Sequence, residues 1–128
     1  MRLLLDTHAF LWWVTGDERL GQAARQAVAD PDNEVFVSAA SAWEIAAKLR
    51  LGKLDGVPHI DVRYGELVAA DGFQHLAVDH RHALRAGSYS QEHRDPFDRM
   101  LAAQSELEQM PLVTRDPAFK LFGTRTVW

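Results

Sequence analysis

The 128 residues include 14 basic and 18 acidic side chains, giving a net charge of −4 and a pI near 5.8. That balance excludes a protein that coats nucleic acid through a broad basic face, and no run approaches the ~20 apolar residues needed to span a bilayer. Cysteine is absent, which excludes disulfides and thiolate metal sites and sets the expectation of a cytoplasmic protein.

Arg2-Leu3-Leu4-Leu5 is a buried-strand pattern that ends abruptly in Asp6. Asp6 and His8 interrupt it too soon for a signal peptide. Thr7 to Val14 reads as a short helix stopped near Gly16. Leu20, Ala23, Ala24, Ala27 and Val28 mark a second helix by their spacing. Val35-Phe36-Val37-Ser38 is a β-branched and aromatic strand, followed by a helix from roughly Ala40 to Leu51. Ile60, Tyr64, Leu67 and Val68 mark the next helix, and His75 to Val78 the third strand. Asp79 is a natural N-cap for a helix ending at Gly87. After a polar loop, Asp95-Pro96 opens a helix to about Gln109, since proline suits the first helical position. Pro111 to Thr114 is a fourth strand, Asp116-Pro117 repeats the helix start, and Thr124 to Trp128 forms an edge strand. Strands alternating with helices call for a single α/β domain with a parallel sheet of four to five strands, covered by helices on both faces.

In such a sheet ligands gather at the carboxyl ends of the strands. Asp6 ends the first strand and Asp116 follows the fourth. Asp95 and Asp98 begin the helix feeding that strand, so they belong on the same rim. Glu44 lies six residues past Ser38, roughly 9 Å along a helix at ~1.5 Å per residue, and reaches the rim only if its helix leans over the sheet. Carboxylates brought this close repel one another, and a hard divalent cation resolves the conflict. With no His-rich or Cys ligand set to select zinc, Mg²⁺ is expected, with Mn²⁺ as the alternative.

Structural roles compete for several of these residues. Asp95 is well explained as an N-cap, whereas Asp98 in the first helical turn is not needed as one. Ser41-Ala42-Trp43-Glu44 matches a capping box, so spacing leaves Glu44 open between cap and site. The six histidines show no zinc spacing and read as solvated surface. Trp12 and Trp13 lie ~100° apart on a helix, so one of them is expected to be exposed.

The ordered set Leu3-Leu4-Leu5-Asp6-Thr7-His8, Trp43-Glu44-Ile45, Arg94-Asp95-Pro96-Phe97-Asp98-Arg99-Met100 and Leu112-Val113-Thr114-Arg115-Asp116 resembles the PIN-domain family, and within it the VapC-type toxins of toxin–antitoxin pairs. The resemblance spans essentially the whole chain. It implies a metal-dependent endoribonuclease with Asp6, Glu44, Asp98 and Asp116 as catalytic residues and Asp6 and Asp98 as principal Mg²⁺ ligands. It also implies an RNA substrate, a cognate antitoxin and a homodimer. Asp95, Ser38 and Thr114 are expected in support, the last two through hydrogen bonds at the strand ends. Arg94, Arg99 and Arg115 flank the acids and suit either RNA phosphate or the carboxylates themselves. A haloacid-dehalogenase-like phosphatase also starts from a strand-end Asp, but it needs a second Asp where this chain has His8. A catalytically silent binding domain is the remaining rival, and the intact acid set counts against it.

Overall fold

The computed structural model describes residues 1–54 and 56–128. Five parallel strands, β1 (Arg2–Leu5), β2 (Glu34–Ser38), β3 (Gln74–Leu76), β4 (Leu112–Val113) and β5 (Thr126–Val127), form one sheet in the order β3-β2-β1-β4-β5. The central strand β1 pairs on one side with β2 (Leu5 opposite Val37) and on the other with β4 (Leu5 opposite Val113). Its three leucines are fully buried because both faces of a parallel sheet are covered.

The period-two alternation of β1 divides the core. Leu3 and Leu5 pack with Phe10, Leu11 and Trp12 of α1 (Thr7–Thr15), with Ala24 and Val28 of α2 (Gln22–Ala29), and with residues of α3 (Ala39–Arg50) and α4 (Ile60–Ala70). Leu4 faces the other way, onto α5 (His80–Ser88) and α6 (Pro96–Glu108). After β4 the chain makes a 3₁₀ helix (Pro117–Phe122) where a helix start is expected. Gly123, at φ 68°, ends it after six residues, too few for α-helical hydrogen bonds to accumulate.

The strand order sets the position of the site. The chain moves from β1 outward to β2 and β3, then returns to place β4 and β5 on the opposite side of β1. The reversal between β1 and β4 leaves a crevice at their carboxyl ends. Asp6 and Thr114 emerge on its two sides, and the Asp6 amide donates to the Val113 carbonyl at 3.1 Å across it.

Candidate active site

Asp6 follows β1 directly and caps α1, its Oδ1 accepting the Ala9 amide at 2.7 Å. Burial pushes its carboxyl up to about 6. The Thr114 hydroxyl and the Ala9 amide pull the other way, while the charges of Glu44 and Asp116 add to the rise.

Glu44 does reach the rim. Its Oε1 accepts the Thr7 hydroxyl at 2.6 Å and its Oε2 pairs with Lys48 at 2.6 Å, with the carboxylate buried. The capping box expected from Ser41 does not form. The helix starts earlier, at Ala39, with Ser38 as its cap through the Ala40 amide at 3.0 Å. Ser41 therefore lies inside α3, its hydroxyl 3.0 Å from that of Thr7. Ser38 also bonds the buried Gln104 at 2.5 Å, so its hydroxyl ties β2 to α6 and is occupied within the fold.

Asp95 and Asp98 separate as helix-start chemistry predicts. Asp95 Oδ1 accepts the Phe97 and Asp98 amides at 2.9 and 3.1 Å, with Pro96 at the first helical position. Asp98 turns away from this cap to the His93 ring, Oδ2 to Nε2 at 2.8 Å. Burial raises its carboxyl to about 6, opposed by the His93 hydrogen bond and reinforced by the charges of Asp95 and Asp116. Asp116 is exposed and caps the 3₁₀ helix through the Ala118 amide at 2.9 Å. Its own amide donates to Thr114 Oγ1 at 3.1 Å. The four acids thus share one field, with Asp116 acting on both Asp6 and Asp98.

Four further residues contribute to the site, three of which escape local sequence rules. Thr7 and Lys48 hold Glu44, and His93 holds Asp98. The His8 ring is lowered from its ordinary value by burial and the Lys48 charge, against the pull of Glu44 and Asp98. Only Lys48 carried a readable signal, standing one helical turn beyond Glu44.

The arginines part company. Arg99 is spent on the fold: its guanidinium donates to the carbonyls of Ala86, Tyr89, Gln91 and His93 at 2.7–3.0 Å. It fastens the 88–94 loop and is not free for phosphate. Arg94 is exposed just before Asp95, and Arg115 lies over the Trp12 ring, 4.6 Å from its centroid.

Two other expectations are corrected. Trp12 is buried and Trp13 half-buried, its indole bonded to Asp71 at 3.0 Å, because α1 is covered on more than one side. The exposed tryptophan is Trp43, packed edge-on against Phe97. His82 is 1% exposed rather than solvated, with Nδ1 accepting the Asp79 amide and Nε2 meeting Glu108 at 2.9 Å.

Among the described residues, Asp79, His82 and Glu108 are the one trio of metal-ligating side chains with donor atoms within 4.8 Å of one another. Both ring nitrogens of His82 are occupied, and Arg81 already bridges Asp79 and Glu108 at 2.8 and 3.1 Å. This group is a structural clip between α5 and α6. The rim acids stand farther apart, but their chemistry fits a hard divalent cation better. The donors are all oxygen, and Asp6 is buried and Asp98 half-buried, with their carboxyls pushed up.

The PIN domain family model matches residues 3–123. No curated protein is significantly similar in sequence. Solved structures with similar folds include VapBC2 from Rickettsia felis bound to a promoter DNA fragment, at TM-score 0.68 and 12% identity over 100% of both chains. A toxin–antitoxin complex from Klebsiella pneumoniae has TM-score 0.58 and 19% identity over 89% of this chain and 86% of that one. FitAB bound to the IR36 DNA fragment has TM-score 0.53 and 18% identity, covering 98% and 93%. With nearly its whole length matched by the family model, the chain belongs to the PIN-domain family.

Proposed function

We propose that the protein is a Mg²⁺-dependent endoribonuclease, with Mn²⁺ as an alternative ion, and the toxin of a VapC-type toxin–antitoxin pair. The observation that carries this reading is the convergence of Asp6, Glu44, Asp98 and Asp116 on the switch-point crevice, with two carboxyls displaced to about 6. Members of the PIN-domain family are generally nucleases, which supports the reaction class. The structural neighbours named as VapBC2 and as a toxin–antitoxin complex support the biological role.

Asp6 and Asp98 would hold the cation, which supplies charge neutralisation at the scissile phosphate and a more acidic water. Asp116 orients the site from the far side of the crevice, anchored through the hydroxyl of Thr114 and the 3₁₀ cap. Glu44 has one oxygen on Thr7 and the other on Lys48, so it is held in a fixed orientation. That arrangement suits positioning the attacking water better than roaming proton transfer. His93 fixes Asp98, and Asp95 fixes the helix end that carries it. The RNA substrate, a cognate antitoxin and a homodimer are the partners we assign. None of the described helices is long and apolar enough to cross a membrane; the cytoplasm is the site of action we assign.

RNA cleavage by purified protein, titrated with Mg²⁺ and then with chelator, tests the reading. Cleavage that follows the free metal supports it; intact RNA at every metal concentration rejects it.

A further inference from the structure

A cleft of about 460 Å³ opens beside the acids, between α1, the start of the 3₁₀ helix and the end of the chain. Asp6 and Asp116 form part of its wall, and His8, Trp12, Arg115 and Trp128 line much of the rest. Trp12 organises it. Its indole is buried, with Trp128 edge-on at 5.8 Å and the guanidiniums of Arg19 and Arg115 over the ring at 4.8 and 4.6 Å. Arg19 is committed to Asp17 through two bonds of 3.1 and 2.8 Å. Arg115 is exposed and, among the described residues, has no hydrogen-bond or ion-pair partner.

We propose that this cleft receives one unpaired nucleotide of the RNA strand, next to the phosphate that the acids act on; the inference rests on the nuclease reading above. Its phosphate would meet Arg115, whose planar fork suits phosphate oxygens. Its base would stack against the arginine-faced aromatic wall, the usual means of holding a base without sequence preference. The volume lies in the range of pockets that enclose a single small ligand. A base stacked inside a duplex cannot enter such a recess, so the cleft selects single-stranded or looped RNA. With a net charge of −4 the whole molecule does not attract RNA. A local cation adjoining the acids therefore carries a large share of the binding.

The test uses a short fluorescein-labelled single-stranded RNA, with anisotropy measured in Mg²⁺ on Asp98→Asn protein to prevent turnover. Adding Arg115→Ala is expected to weaken binding about 10-fold and to lower the salt slope by about 1. Arg115→Lys should restore the salt slope but only part of the affinity. The same sequence as a duplex should bind both proteins alike. In the otherwise unaltered enzyme, Arg115→Ala should raise KM with little change in kcat. Equal single-strand affinity with and without Arg115 overturns the proposal, as does a failure of the Asp98→Asn protein to bind this RNA at all. If the unaltered protein cleaves RNA and Arg115→Ala leaves KM unchanged, the cleft fails and the nuclease reading stands. If Arg115-dependent binding occurs without cleavage by the unaltered protein, the nuclease reading fails and the nucleotide site stands. Loss of antitoxin binding alone, with RNA unaffected, assigns the cleft to a protein partner and also overturns the proposal.

Discussion

The two ends of α6 carry acids in opposite electrostatic conditions. At its C-terminal end every acid of the clip has a cation. Arg81 spans Asp79 and Glu108, the His82 ring meets Glu108, and Arg85 grips Glu106 at 2.6 and 3.1 Å. The Arg81 hydrogen bond draws Asp79 down to about 2, and Glu106 and Glu108 are lowered too. At the N-terminal end Asp98 has the His93 ring alone, and across the crevice Asp6 has a hydroxyl and an amide. Both rise to about 6. The first cluster consumes its charges in holding two helices together. The second keeps negative charge in excess, at a cost to stability that a bound cation would remove.

Breaking the site end should have the largest effect on activity. Asp6→Asn keeps an N-cap acceptor for α1 but removes a proposed ligand charge, so RNA cleavage is expected to fall by about 10²-fold or more. Far-UV circular dichroism should be unchanged. The largest loss of stability should come from the link between the two regions: Arg99→Ala strands three carbonyls of the 88–94 segment and that of Ala86 in α5, and should cost about 3 kcal/mol in urea unfolding. Breaking the clip with Glu108→Gln should cost about 1–2 kcal/mol, with cleavage by the folded protein unchanged.

The pH dependence sharpens the contrast. Asp6 and Asp98 have folded values near 6, above the ordinary 3.8, so the folded state takes up their protons first. Their contribution to metal-free stability therefore rises as pH falls through 6 and levels off below 3.8. Asp79 has the opposite sign, at about 2, and its contribution is lost as pH falls from 3.8 towards 2. Melting without metal should show a maximum between these ranges. Saturating Mg²⁺ should flatten its neutral side and raise the midpoint at neutral pH. The smallest effect is expected from Asp95→Ala, a cap loss of about 1 kcal/mol.

The fold was legible because each strand is short, apolar and bracketed by turn or cap residues. The rim position of Asp6, Asp98 and Asp116 then follows from parallel connections alone. Glu44 was not decidable from spacing, because a capping box depends on where the helix starts. A start at Ala39, rather than at the Ala42 that a Ser41 cap requires, makes Ser41 an interior residue. The resemblance to PIN domains pointed Glu44 to the rim, and the contact with Thr7 places it there. Arg99 and His82 were misread because their partners are carbonyls and carboxylates brought close by the α5–α6 packing, which no local pattern encodes. Trp12 was uncertain for the same reason, much of its cover coming from Trp128 and Arg115, both distant in sequence.

Asp98→Asn tests the central claim most directly, because one substitution reads both halves of the comparison. With Mg²⁺ the variant is expected to lose RNA cleavage, and without metal it should melt higher than the unaltered protein, since an excess half-buried charge is gone. Undiminished cleavage, or a lowered melting midpoint like that expected for Glu108→Gln, would contradict the account.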